Sequence, residues 1–495
     1  MICIGKIQSL GSLLVNIFRS NELSENLGCI FQRHLGKSRV AFIDTSTDNV
    51  YTYDDLDDMC NAVVRGLRSY GLKVGDRVGI ESLNRIEFMA VIYGAMRAGV
   101  VPVLINIKLE PSMIEYIKRD ADCKLIFDDD FFKYEWGDFI TASGSSEPII
   151  PDLSTIAMQP YTAGSTGKPK GVLLNHHGQL WWTKAQQWSK PEHTYLVASP
   201  MYHIQPHNVI NPVLLSGCRT VLMPRFDTKE YISAIEQYRP DVLTGVPAMF
   251  HMILEEKLPN VDCVKELHMG GDIASPFLLG QLKHKFNDPV INIRFGMTES
   301  GPRVFGDHPT KPTPLGSVGY PLPSSEVRLM SDGIETDNGE MWVRNPGVLM
   351  RYHNLPELTT EKKTEDGWFK TGDVLSRDDD GFYWYINRID DMFNSGGEKI
   401  YPTVVKTLLE KHPRVSSSSV VPVPHTIKGQ VPVAFVTSIG HVTEEELRKF
   451  CIENGPAYAH PRKVFFMDEF PLSNTNKVDV TALKQIASEK IGGSL

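Results

Sequence analysis

The sequence predicts an α/β protein. A large N-terminal domain of two βαβ-type sheets carries a β subdomain and is followed by a small α+β domain at the C-terminal end. Three observations predict this. Through the first 250 residues, short apolar runs alternate with segments of helical period; such alternation reads as strands joined by helices on both faces of mostly parallel sheets. From 314 to 374 the texture changes to short strands broken by Gly, Pro and Asn-Gly, as an antiparallel layer requires. After the polar clusters at 377–381 and 387–391, about a hundred residues remain, enough for an independent small domain.

In order, residues 77–81 read as a buried strand, 87–98 as a helix and 100–105 as the next strand. A helix follows over 111–120 and a strand over 124–127. The alternation returns with strands at 195–199 and 219–223, a helix at 228–237 and a strand at 241–244. Asn338-Gly339 marks a turn in the antiparallel stretch, and 382–386 a short aromatic strand at its end. The boundary falls near Asp390, dividing 1–389 from 390–495. Ligand sites favour domain junctions, so the chemistry is expected there.

Composition removes several function classes. The 495 residues are 41% hydrophobic and 22% charged, an ordinary globular balance. The net charge of −9 offers no broad basic surface, so nucleic acid is not an expected partner. No run approaches eighteen apolar residues, so no membrane span is expected. Residues 9–18, behind a single Lys6, lack a basic flank and a small-residue cleavage site; they read as an amphipathic first helix rather than a leader. Seven scattered cysteines without a C-x-x-C fit reduced thiols in cytoplasm, not a zinc cluster or disulfide frame. A monomer or homodimer is expected.

The segment Tyr161-Thr162-Ala163-Gly164-Ser165-Thr166-Gly167-Lys168-Pro169-Lys170-Gly171-Val172 concentrates glycines, hydroxyls and lysines. Glycine lets backbone N–H groups approach an anion, hydroxyls donate to its oxygens, and lysine neutralises charge. A Walker A loop is disfavoured, because Thr162 stands where it needs Gly and Pro169 where it needs Ser or Thr. On composition alone, a phosphate cradle and a turn-rich surface loop fit equally.

That segment closely resembles the [YF]-T-S-G-[ST]-T-G-x-P-K-G signature of adenylate-forming enzymes, the superfamily of acyl- and aryl-CoA synthetases, peptide adenylation domains and luciferase. Four further elements follow in order. Arg294-Phe295-Gly296-Met297-Thr298-Glu299 is similar to the Y-G-x-T-E element, and Lys370-Thr371-Gly372-Asp373 to the T-G-D element. Arg388-Ile389-Asp390-Asp391, with Ser395-Gly396-Gly397-Glu398-Lys399, resembles the hinge and the start of the small domain. Pro471 to Lys477 resembles the terminal P-x-x-x-T-G-K loop, with Asn476 for Gly. Taken singly, Asp373 would be a turn cap, Arg388 a surface ion pair, His203 a satisfied histidine and Lys477 a solvated lysine. Their order and spacing defeat those readings.

The resemblance implies a two-step reaction using ATP, Mg²⁺ and CoA, or a carrier protein's phosphopantetheine in place of CoA. A small-molecule carboxylic acid attacks ATP to give an acyl-adenylate and pyrophosphate, and a thiol then takes the acyl group. It implies that Thr162, Gly164, Ser165, Thr166, Gly167, Lys168 and Lys170 hold phosphates. Gly270, Gly271 and Asp272 line the adenine edge, Phe295 stacks on the base, and Arg294, Gly296 and Met297 complete that wall. Asp373 takes the ribose hydroxyls and Arg388 stands beside it. Thr298 donates to the α-phosphate, and Glu299 holds Mg²⁺, an oxygen-preferring cation. Lys477 bridges substrate carboxylate and α-phosphate, and His203 stands at the acyl side. Rotation about Asp390 then replaces Lys477 by the loop Ser395, Gly396 and Gly397, where the thiol enters.

The stretch after the first signature, Met201-Tyr202-His203-Ile204, lacks the aspartate that peptide adenylation domains use for an α-amine. The reading is therefore an acid–CoA ligase. An enzyme loading a separate carrier protein is the alternative, and a non-catalytic acyl- or nucleotide-binding protein a remote one. If Arg294 or His207 faces the acyl pocket, a polar or second-carboxylate acid is implied; if they face outward, an apolar acid.

Overall fold

The computed structural model describes residues 25–162, 168–185, 190–301, 303–456, 460–473 and 478–492. The helix expected over 9–18 lies outside them, as do Gly164, Ser165, Thr166, Gly167 and Lys477 of the expected site.

Two βαβ sheets form the large part. The first has seven strands, in spatial order Val290–Arg294, Glu266–Gly270, Val242–Gly245, Thr194–Val197, Arg219–Leu222, Val40–Asp44 and Asn49–Thr52. Its pairs run parallel except the last. The second has six, in the order Arg351–Tyr352, Lys170–Asn175, Ile156–Thr162, Val101–Leu104, Arg77–Glu81 and Cys123–Asp128. Local sequence explains the helices between them. Helix Tyr53–Ser69 starts at a capping box, Thr52 bonding the Asp55 N–H while the Asp55 carboxylate takes the Thr52 N–H. Helix Ile86–Ala98 is apolar nearly all round and accordingly buried. Phe42 of the first sheet, Ile80 of the second and Leu375 of the third belong to one continuous core; full burial of such a side chain is worth about 1.5–3 kcal/mol.

The third sheet is antiparallel, in the order Ile334–Glu335, Glu326–Ser331, Asn338–Arg344, Phe369–Arg377 and Tyr383–Arg388. The antiparallel layer over 314–374 is present, with three corrections. It continues to Arg388 through the aromatic strand. It is interrupted by helix Pro356–Lys362 and by Arg351–Tyr352, which leaves to pair with the second sheet. Asn338-Gly339 is the start of a strand, not a turn. The two-residue hairpin turn is Asp332-Gly333, with φ of +49° and +79°, the left-handed pair that a type I′ hairpin needs. Gly339 serves close approach instead, since a Cβ there would lie 2.5 Å from the Met330 carbonyl oxygen. Gly339→Ala should therefore destabilise the protein by about 1–3 kcal/mol, read as a lower melting temperature; an unchanged melt would mean that the strands part freely.

From Phe393 onward the chain builds its own two cores. Strands Glu398–Ile400, Phe393–Ser395, Gly429–Ser438 and Val415–His425 form a sheet, with Lys463–Phe466 paired to Gly429–Ser438. Among the described residues no helix is long and apolar enough to cross a membrane.

Candidate active site

A cleft of about 1290 Å³ opens where the parallel strands of the two large sheets end and the C-terminal portion meets them. Its floor comes from the carboxyl ends of parallel strands: Leu104, Thr162, Val246, Gly270 and Arg294 all line it. Ligands of open α/β sheets bind at such ends, because loops and unpaired backbone groups converge there.

On one wall, Asp373 and Arg388 face each other across an antiparallel pair. Arg388 Nη1 donates to Asp373 Oδ1 at 2.8 Å, and Nη2 donates to the Thr371 carbonyl at 3.3 Å. Asp373 is 6% exposed, so the guanidinium offsets the cost of burying its carboxylate. Gly372 between them takes φ +74° and donates its N–H to Glu340 Oε1. Tyr385, on the strand Tyr383–Arg388, lies 5.6 Å, centroid to centroid, from Phe295; burial and then Asp373 push its phenol up. Phe295 also meets Phe305 at 5.9 Å, giving an aromatic ledge beside the carboxylate.

Glu299 sits in the short turn Thr298–Ser300 and is 5% exposed. Its Oε1 accepts from Thr162 Oγ1 at 3.1 Å and from the Tyr352 hydroxyl at 3.2 Å. The three residues come from three different segments, which fixes the carboxylate between the sheets. Lys170 pairs with Thr162 across the strands and carries its ammonium 5.5 Å from the Tyr352 ring centre. Lys168 stands 5.4 Å from the Tyr116 ring centre. Thr162 and Lys170, at the two ends of the glycine-rich segment, thus stand near Glu299, directly and through Tyr352. No group of three His, Cys, Asp or Glu able to hold a metal occurs among the described residues. Mg²⁺ is ordinarily bound through one or two carboxylates and substrate phosphates, and the single buried carboxylate of Glu299 fits that pattern.

Next to this ledge, Gly270 pairs in register with Arg294, and Gly271 takes φ +86° to turn the chain into Asp272, whose carboxylate accepts the Ile273 N–H. Arg294 is buried at the end of its strand. Its Nη1 donates to the Asn208 carbonyl at 3.1 Å, Nη2 meets His268 Nδ1, and His268 Nε2 meets Glu266 Oε2 at 2.8 Å. Burial, and then the Arg303 guanidinium, push Arg294 down to about 9. Gly296, Met297 and Thr298 continue this wall. His203 precedes helix Ile204–Ser216 and packs edge-on to Tyr202, with ring centres 4.8 Å apart. His207, one turn on, is buried, bonds the Met201 carbonyl at 2.7 Å, and is pushed by burial down to about 4. Of the two residues weighed for the acyl pocket, Arg294 lines the cleft, whereas His207 is not among its lining residues.

From the C-terminal portion, Leu472, Ser473 and Val478, which flank the undescribed 474–477, line the cleft. The hairpin Ser395, Gly396 and Gly397 is not among its lining residues. Its glycines take φ +59° and +91°, and the Gly396 N–H donates to the Lys428 carbonyl. Asp390 lies in the turn Ile389–Asp391 at the edge of the cleft. The sequence reading missed Tyr352, Tyr385, Asn387 and Lys406, which meet the site only through folding; Tyr352 is 53 positions from Glu299.

Comparison with known proteins gives the following. A family model described as AMP-binding enzyme matches residues 32–353, and one described as AMP-binding enzyme C-terminal domain matches 405–477. The 2-succinylbenzoate–CoA ligase of Bacillus licheniformis is 30% identical over 451 residues, covering 87% of this chain and 94% of its own. That of Bacillus cytotoxicus is 30% identical, covering 92% and 97%. Among solved structures, ATP-bound MatB from Rhodopseudomonas palustris superposes with a TM-score of 0.85 at 23% identity, covering 94% of this chain and 99% of its own. The o-succinylbenzoate CoA synthetase (MenE) of Bacillus subtilis, in complex with its acyl-adenylate intermediate, gives 0.78 at 27% identity, covering 93% and 98%.

Proposed function

We propose that this chain, which belongs to the AMP-binding enzyme family, activates an acid that carries a second carboxylate and passes it to CoA. The reaction class is AMP-forming acid–thiol ligation. The observation that carries the substrate reading is Arg294, a buried residue at the end of a parallel strand that lines the cleft, where burial and the charge of the likewise buried Arg303 both oppose its own. A remote carboxylate reaching that end of the cleft would favour the Arg294 charge, in addition to the Asn208 carbonyl and His268 that already hold the side chain. The curated relatives are named for 2-succinylbenzoate, a dicarboxylic aromatic acid; an acid of that class is our reading for this chain.

A carboxylate is a poor acyl donor because oxide is a bad leaving group. Its oxygen attacks the α-phosphorus of ATP, pyrophosphate departs, and the acyl-adenylate carries AMP as a good leaving group. The chain's task is to position two anions and oppose their repulsion. In this reading Asp373, oriented by Arg388, receives the ribose; Phe295 and Tyr385 offer the base a face. Gly270, Gly271 and Asp272 border the base, Thr298 donates toward the α-phosphate, and 162–171 with Lys168 and Lys170 cradles the outer phosphates. Glu299 would hold Mg²⁺, which supplies neutralisation of phosphate charge when bound. His203 closes the acyl end, and Lys477 bridges carboxylate and α-phosphate.

The boundary at 389/390 acts in this reading as a hinge that exchanges the terminal loop for the hairpin Ser395, Gly396 and Gly397. Asp390 lies in a 3₁₀ turn, whose φ near −60° proline shares. Asp390→Pro should therefore tolerate the present arrangement and resist leaving it. Adenylation should stay within about twofold while thioester formation slows by about tenfold or more; an unaltered thioester rate would remove the hinge from Asp390.

The function is tested by pyrophosphate release across fatty, aryl and dicarboxylic aromatic acids, with and without CoA. Release that peaks with a dicarboxylic aromatic acid and yields its CoA thioester is the expected result. A preference for plain fatty or aryl acids would overturn the substrate reading, and release indifferent to CoA would redirect the search to a carrier protein.

A further inference from the structure

Glu299 is held through one of its two carboxylate oxygens. The Thr162 and Tyr352 hydroxyls both donate to Oε1, at 3.1 and 3.2 Å, since an ionised carboxylate can only accept. Oε2 accepts no hydrogen bond from the described residues, and Glu299 lines the cleft. A hydroxyl bonded to a charged oxygen makes one of the stronger hydrogen bonds, so two of them on Oε1 fix which way the carboxylate turns.

Tyr352 is itself fixed from several sides, although it belongs to none of the sequence motifs. Its strand, Arg351–Tyr352, pairs antiparallel with Leu173 and Val172. Its N–H donates to Thr359 Oγ1 at 3.0 Å, and Thr359 Oγ1 donates in turn to the Leu355 carbonyl at 2.9 Å. The buried ring lies under the Lys170 ammonium, 5.5 Å from the ring centre, within the reach of cation–π attraction. The same edge segment grips Glu299 a second time, through the Leu349 N–H, which donates to the Glu299 carbonyl at 2.8 Å. The His353 N–H donates to the Gly171 carbonyl at 2.8 Å, which closes the segment onto the end of the glycine-rich stretch. One tyrosine therefore links the acidic residue of one motif to the lysine of another.

We propose that Tyr352 is a positioning residue for the cation site: with Thr162 it holds Oε1 of Glu299, so that Oε2 is the oxygen presented to Mg²⁺. This rests on the reading of Glu299 as the Mg²⁺ ligand. Groups behind a metal ligand matter because they set its orientation before the ion arrives. Tyr352 never touches the ion in this account; it acts through Glu299.

The test uses Tyr352→Phe in the full chain, which keeps the ring and its contact with Lys170 and removes only the hydroxyl. Mn²⁺ is the probe, titrated by electron paramagnetic resonance with the protein saturated by the α,β-methylene analogue of ATP, which cannot be cleaved to an adenylate. Its dissociation constant should rise about tenfold in Tyr352→Phe, the scale on which loss of a ligand's orienting partner weakens a metal site. In ATP–pyrophosphate exchange the loss should be about tenfold at limiting Mg²⁺ and much smaller at saturating Mg²⁺. A purely structural defect would not be relieved by the cation. Glu299→Gln, titrated in parallel, separates the two readings. If it binds Mn²⁺ as the unmodified protein does, the reading of Glu299 fails and this inference with it. If it binds weakly while Tyr352→Phe binds normally, Glu299 remains the ligand and the positioning role of Tyr352 is overturned. A loss of exchange in Tyr352→Phe that saturating Mg²⁺ leaves untouched would overturn that role as well.

Discussion

Replacing Arg294 by methionine should lower kcat/KM for a dicarboxylic aromatic acid by about 10²–10³-fold, the scale of leaving one member of a buried charge pair alone. For the same acid with its remote carboxylate removed, the loss should be less than about fivefold, since that substrate presents no charge to the guanidinium. The contrast matters more than either number, because Arg294 also ties the Asn208 carbonyl and the His268–Glu266 chain together. A structural role alone would slow both substrates equally. Arg294→Lys keeps the charge but loses the fork, so it should recover part of the discrimination. Equal losses for both acids would remove the second carboxylate from this end of the cleft.

Glu299 gives the second large effect. Glu299→Gln preserves the shape and leaves an amide oxygen to accept from Thr162 and Tyr352, the two hydroxyls it holds now. Only the charge is removed. Adenylation should fall by about 10²–10³-fold, the usual range for losing one preorganised electrostatic partner of a phosphate reaction, while the melting temperature changes little. The Mg²⁺ concentration needed for half-maximal activity should rise with it. Thioester formation from supplied acyl-adenylate releases no pyrophosphate and should be much less affected. A variant equally poor in both half-reactions would make Glu299 a structural link between the sheets and not a cation ligand.

Much of this was legible in the chain because the signals were local. Helix Pro111–Asp120 coincides with its expected span, since a proline at the first turn and a helical apolar period specify it together. The alternation of strands and helices points to mostly parallel sheets, and the two large sheets are parallel except for the pairs made by Asn49–Thr52 and Lys170–Asn175. Asn338-Gly339 misled because the same glycine that suits a turn also suits a strand pressed against a neighbouring carbonyl, and only the fold tells these apart. Arg351–Tyr352 joined the other sheet, a choice of partner that no local pattern encodes.

The site divides in the same way. Asp373 and Arg388 were marked by motif, but their mutual ion pair depends on an antiparallel register. Tyr352 became a neighbour of Glu299 only when an edge strand reached Lys170–Asn175. Lys406 carries no motif and joins the lining of a cleft that exists only in the folded chain. Arg294 was flagged for its position, and its burial next to Arg303 supplied the reason to link it to an acid with two charges.

The most direct measurement is ATP–pyrophosphate exchange without CoA, comparing 2-succinylbenzoate with each of its two monoesters. The account predicts rapid exchange with the free diacid and exchange slower by about 10²-fold or more with either monoester, because one has lost the carboxylate that attacks ATP and the other the remote charge that Arg294 would meet. Exchange as rapid with either monoester as with the diacid would contradict it.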